Sequence, residues 1–349
     1  MLKVKIYSVL IIILFAIIIS GCSEDEVVNP LVSTDIDYNA AYVVNGESNS
    51  ISVIELTTNQ VKRTISLSNI MWPHHINMNP AKTKVAIGVP GIDLSGGHGG
   101  HGSGMGKFAI LDAKTGSILA TKDLTHINHN AIFSPDGSEI WTALADSMGM
   151  VYVYNSDNLN LKDSIIVGNM PLEVTFSSDG TMAFVANSMS DNVTAIDAIT
   201  KDIMTTIQVG MMPIGAWTGA NNKMYVDNEM GQSISVINVP TMTVEETVTL
   251  GFTPGMAAYN SQMNELWVTN EDAGTVEIFH RMNNEWHPKA NVATGNGAHA
   301  VSFSSDGMTA YVTNQLGGTV SVINVDTRTK TSDITVGTKP NGILSRYPN

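Results

Sequence analysis

Residues 311–323 read Tyr311-Val312-Thr313-Asn314-Gln315-Leu316-Gly317-Gly318-Thr319-Val320-Ser321-Val322-Ile323, a short apolar run closed by Asn, a Gly-containing turn and an alternating run. That pattern predicts a β-hairpin. Its opening tetrad returns along the chain as Tyr42-Val-Val-Asn45, Val85-Ala-Ile-Gly88, Trp141-Thr-Ala-Leu144, Phe184-Val-Ala-Asn187, Tyr225-Val-Asp-Asn228 and Trp267-Val-Thr-Asn270. The tetrads end at 45, 88, 144, 187, 228, 270 and 314, giving intervals of 43, 56, 43, 41, 42 and 44 residues. A period near 42 falls in the range of four-stranded propeller blades.

Each tetrad strand (B) is followed by an alternating strand (C) and a further one (D), the latter often ending in Val-Gly or Leu-Gly. Before most tetrads lies a strand A ending in a tight turn, as in Ser134-Pro-Asp-Gly137, Ser178-Asp-Gly180 and Ser305-Asp-Gly307. Asp-Gly suits the positive φ of such turns. The first tetrad lacks a strand A, whereas the chain ends with an unpaired one, Lys339-Pro-Asn-Gly-Ile-Leu-Ser345. The expectation is an all-β, seven-bladed β-propeller of four antiparallel strands per blade, in which the C-terminal strand closes the first blade and removes both exposed edges.

The pattern resembles the YVTN-repeat family of extracytoplasmic β-propellers over nearly all of residues 38–349. The tetrads ending in Gly88 and Leu144 depart from it by lacking the terminal Asn. The resemblance implies the fold and leaves function open, because propellers host binding scaffolds and enzymes alike.

The N-terminus carries Lys3 and Lys5, then an apolar run from Val9 to Ile19, then Ser20, Gly21 and Cys22. This is the layout of a secretory signal, too short for a span of roughly 20 apolar residues. Ile19-Ser20-Gly21-Cys22 resembles the bacterial lipobox, which implies a signal peptide over 1–21, acylation at Cys22 and a bacterial cell-envelope location, at the outer membrane on its periplasmic or surface face. Cys22 is the only cysteine, so lipid attachment leaves no free thiol in the mature chain. Residues 22–37, with Glu24, Asp25 and Glu26, read as an acidic flexible tether.

The chain has 18 basic and 32 acidic residues. Such a surface repels phosphate backbones, which argues against nucleic-acid partners. A single cysteine excludes a Cys-x-x-Cys-His haem attachment, and no Gly-rich phosphate loop leads into a helix, so neither covalent haem nor a nucleotide cofactor is expected.

Aligning the A strands places His74, His129 and His299 in one slot, shared with Leu172, Ile214, Gly255 and Asn341. The three histidine blades, numbered 2, 3 and 7, form one arc with blade 1 between them. The slot opens strand A, next to the central channel and on the face from which the B–C loops emerge. The long interval is such a loop, residues 91–106, and carries His98, His101 and Met105 among glycines. His75 and His126 flank the slot, bringing seven of nine histidines to one mouth, while His280 and His287 read as structural. Imidazoles are the commonest ligands of zinc and copper, and His-rich Gly tracts are metal signals. The expected function is binding of a transition metal, copper or zinc, at this mouth by a carrier or sensor. The ligands would be His74, His75, His98, His101, His126, His129 and His299, with Met105 and Asn341 as additions. The alternatives are an envelope scaffold for a protein or glycan, and a copper-dependent oxidoreductase, the last because nitrous oxide reductase is similar in general style.

Overall fold

The computed structural model describes residues 35–95 and 104–348. The signal peptide, Cys22, most of the expected tether, and His98 and His101 lie outside the described residues.

Twenty-eight strands form seven separate four-stranded antiparallel sheets arranged as blades of a β-propeller, with no helix among the described residues. In blades 2 to 7 the strands follow chain order. In blade 1, Pro340–Arg346 pairs antiparallel with Ala40–Asn45 from the other end of the chain. The ring therefore closes as the repeat count requires, and no long B strand is left at an edge. Packing begins earlier than the sequence pattern suggests: Ile36, assigned above to the tether, is fully buried in the first blade's core. Its carbonyl accepts a bond from Arg346 Nη1 at 2.6 Å and its amide bonds Lys114 O at 2.8 Å.

The tetrad strands are the interior of each blade. Glu139–Leu144, Met182–Asn187 and Glu265–Asn270 are buried along their whole length, whereas the rim strand Gln60–Ser66 alternates. The first tetrad position supplies the largest side chains between blades, with Tyr42, Trp141, Phe184, Tyr225 and Trp267 at most 1 % exposed. Each contributes roughly 1.5–3 kcal/mol of transfer free energy or more. The turn glycines Gly137, Gly180 and Gly307 have φ of +76°, +72° and +70°.

The terminal Asn and the Val-Gly signature explain each other. Asn45 Nδ2 donates to Ser50 Oγ and Ser52 Oγ of its own blade, and Asn45 Oδ1 accepts the amide of Gly337 from the preceding one. A Cβ on Gly337 would lie 2.6 Å from Asn45 Cγ, so the pair requires glycine. Asn314 makes the same bonds to Thr319, Ser321 and Gly295. Where the tetrad ends in Gly88 or Leu144, the preceding strand ends in Ser66-Leu67 or Asp123-Leu124, without the glycine. Both exceptions fall in the histidine-bearing blades 2 and 3.

Candidate metal centre

In blades 1, 4, 5, 6 and 7 strand A enters through an irregularity. Asn270 pairs with Pro254 and Val268 with Ala257, so the partner strand advances two residues while strand A advances three; Asn314 and Ala298 repeat this, and blades 1, 4 and 5 also slip there. A β-bulge re-aims side chains, and in those blades it frees the slot residue and the one after it from ordinary alternation; in blades 2 and 3 the strand starts only at Ile76 and Ile132, so His74, His75 and His129 stand ahead of it, outside strand alternation. Backbone at the bulge is held by the preceding blade: Thr269 Oγ1 donates to His299 O at 2.7 Å and Thr313 Oγ1 to Asn341 O at 2.9 Å.

The result is convergence. The His74 ring lies 4.4 Å from that of His75, 4.2 Å from His129 and 5.6 Å from His299, centroid to centroid. His75 is 4.7 Å from His129. His74, His129 and His299 are buried, and His75 nearly so. Two ligand groups share His75: His74, His75 and His299 form one, and His75, His129 and Glu173 the other. Within each group the donor atoms lie within 4.8 Å of one another.

Glu173 is the residue that the sequence alignment passes over. It follows the slot residue Leu172, in the position that His75 takes after His74. Its Oε1 is 2.5 Å from His129 Nδ1 and 3.0 Å from His75 Nε2, while Oε2 is buried and meets no hydrogen-bond partner among the described residues. A buried carboxylate needs compensation. Among the described residues no lysine or arginine lines either cavity, so the imidazoles, and any cation they hold, are the partners at hand for Glu173. Three or four imidazoles with one carboxylate form a donor set that suits zinc or copper, and a carboxylate orienting one imidazole through its other nitrogen is the usual outer shell of such sites.

Beside it stands Asp227, also absent from the sequence reading. Its Oδ1 accepts from Trp217 Nε1 at 2.5 Å and Gly215 N at 3.1 Å. Burial, then the charges of Glu173 and Glu229, push its carboxyl well above the usual carboxylate range. Trp217 in turn approaches the His75 ring at 5.6 Å.

Other expected ligands are elsewhere. His126 is half-exposed, 3.8 Å from Asp146 and 3.1 Å from Thr125 Oγ1, and joins neither ligand group. Met105 is exposed. The amide of Asn341 is spent on backbone, donating to Pro73 O and accepting from Gly342 N, although its carbonyl faces His299 Nδ1 at 3.4 Å. His280 and His287 pair across blade 6, away from the hub.

Two cavities reach the slot residues or their neighbours. One, of about 360 Å³, includes His75, Glu173, Trp217 and Met256 and extends along the A strands to Tyr259 and Phe303. The other, of about 520 Å³, lies among B–C loops and is lined by Glu229, Glu271 and Asp272.

No family model matches the chain, and no curated protein matches it in sequence. Solved structures do. A periplasmic gluconolactonase of Pseudomonas aeruginosa is 16 % identical with a TM-score of 0.70, over 89 % of this chain and 99 % of its own. A putative 6-phosphogluconolactonase of Bacteroides fragilis is 15 % identical with a TM-score of 0.71, over 90 % and 99 %. A functionally unknown protein from Desulfotomaculum acetoxidans is 13 % identical with a TM-score of 0.71, over 89 % and 100 %. At these identities the likeness is one of fold: this chain shares the propeller architecture of all three.

Proposed function

We propose that this protein is an exported, lipid-anchored propeller of the YVTN-repeat type that binds one transition-metal ion, copper or zinc, at its hub, as a carrier or sensor. The observation that carries the reading is the convergence of His74, His75, His129 and His299 with Glu173 on one buried point. When bound, the ion would place positive charge beside the buried Glu173 carboxyl. Glu173 orients His129 and His75, and Thr269 of the preceding blade holds the backbone of His299.

The test is elemental analysis of untagged protein, wild type against His75→Ala/His129→Ala. Loss of a stoichiometric metal in the variant is expected, and equal metal content in both overturns the assignment. Anchoring is checked separately by incorporation of labelled fatty acid, which Cys22→Ala should abolish.

A catalytic reading has one observation in its favour, the cavity that brings solvent and small molecules to His75 and Glu173. Turnover of gluconolactone by the metal-loaded protein, lost in His75→Ala, would support it. Absence of turnover with the site filled would leave the carrier.

A further inference from the structure

The B–C face of blades 3 to 5 carries a different donor. Blades 3, 4 and 5 present five short segments on the B–C face: 144–150, 167–172, 187–192, 209–214 and 228–233. These hold seven of the 19 methionines of the chain, namely Met148, Met150, Met170, Met189, Met211, Met212 and Met230, and no lysine or arginine. Four of them face solvent: Met148, Met189, Met211 and Met230 are 67, 62, 51 and 65 % exposed. Methionine ordinarily fills gaps in cores, as Met182 and Met224 do here. Side chains this exposed fill no gap.

The segments are also tied to one another. Asp146 O accepts the amide of Met170, whose own carbonyl accepts that of Ser188, beside Met189. Asp191 Oδ1 accepts the amide of Met212 at 2.8 Å. Met211 O and Met212 O accept the amides of Gly231 and Glu229, on either side of Met230. Backbone bonds, with the Asp191 side chain as one link, thus join the segments across three blades and fix the bases of the four exposed thioethers in one arc. Beneath it Leu172, Met212 and Ile214 form an apolar floor, and Leu172 is the chain neighbour of Glu173. Asp146, Asp191 and Glu229 stand between the methionines.

Thioethers select soft monovalent ions, above all copper(I), over zinc, calcium or magnesium. We propose that the methionine arc is a copper(I) site on the surface, distinct from the buried histidine centre. Resting on the function proposed above, the arc also names the cargo: copper arrives as the monovalent ion, bound by sulfur, and passes to imidazole by ligand exchange without change of oxidation state.

Silver(I) is a redox-silent probe of the same chemistry. The experiment titrates full-length protein in detergent, labelled at the methionine methyl groups, with silver(I) while following those resonances. It runs in parallel on the quadruple variant Met148→Leu/Met189→Leu/Met211→Leu/Met230→Leu and on His75→Ala/His129→Ala. In wild type the four exposed methyl signals should shift and saturate. The leucine variant, changed only at exposed positions, should bind at least one equivalent fewer of silver(I), with zinc uptake at the hub unchanged. The proposal is overturned if the four signals stay unmoved, as on a surface that docks a protein, or if the leucine variant binds as many equivalents as wild type. Since the methyl signals do not depend on the histidines, failure of the histidine centre appears as unaltered zinc content in the histidine variant, a separate result.

Discussion

Gly88→Ala is a sharp probe of the hub. Gly88 ends the blade 2 tetrad where other blades carry Asn, and a Cβ there would lie 2.5 Å from His129 O and 2.7 Å from Asn130 Cα. Ordinary contacts begin at 3.4 Å, so strand A of blade 3 must retreat by about 1 Å in a close-packed interior. Overpacking of this kind costs about 1–3 kcal/mol, which lowers the melting temperature by a few degrees at about 2 °C per kcal/mol for a large domain. The effect on metal is greater in proportion, because bond lengths at a metal tolerate only about 0.2 Å. Displacing His129 and its bond to Glu173 should weaken metal binding about 10–100-fold, or about 1.4–2.7 kcal/mol. Competition titration against a chromophoric chelator measures the affinity, and thermal unfolding measures the fold. Gly317→Ala is the control, since its Cβ would meet nothing closer than 3.4 Å. If Gly88→Ala binds metal as tightly as wild type, His129 is not a ligand held in place by this backbone approach, and the reasoning fails.

Other substitutions read other parts of the structure. Asp227 has a folded-state carboxyl pushed upward by burial, Glu173 and Glu229, so its favourable contribution is complete below the unfolded value of about 3.9 and is lost as pH rises toward the folded one. Asp227→Asn should therefore gain stability relative to wild type as pH increases above about 4, seen in urea midpoints at several pH values; a pH-independent difference would contradict it. His126→Ala should leave metal content unchanged and shift stability by less than about 1 kcal/mol, because its contact with Asp146 is long and solvent-exposed; loss of metal would place His126 in the centre after all. Trp267, fully buried and donating to Glu265 Oε2 at 3.1 Å, should cost about 3–5 kcal/mol when replaced by alanine, measured by denaturant unfolding.

Blade number, strand order and ring closure were legible because a repeat reports itself: seven tetrads in register leave one strand over at the C-terminus and one missing at the start. The site was legible only in part. Alignment assigns residues to a slot, and it found His74, His129 and His299, but it carries no side-chain direction. The bulge at the start of strand A turns the residue after the slot toward the hub as well, which is why Glu173 escaped notice beside Leu172. A signal was present: a carboxylate in the strand Pro171–Phe176, most of which is apolar. His126 shows the converse. It lies three residues before the slot residue His129, yet its side chain turns away to Asp146. Asp227 occupies a tetrad position where blades 6 and 7 have threonine, so it read as part of the repeat until its partners Trp217 and Gly215 were seen.

The closing of blade 1 has a consequence for how the protein is made. Strand Pro340–Arg346 must find a partner roughly 300 positions away along the chain, a contact that comes late and slowly because so long a loop is costly to close. Until the last strand has been synthesised, the ring is open between its first and seventh blades. The histidine centre straddles that seam, with His299 on one side and His74 and His75 on the other. An ion gripped there acts as a clasp. Binding the closed ring and not the open one, it would add about 2.7 kcal/mol at a concentration one hundred times its dissociation constant. Metal supply and ring integrity are then coupled, and protein starved of metal should open first at the join between its two ends.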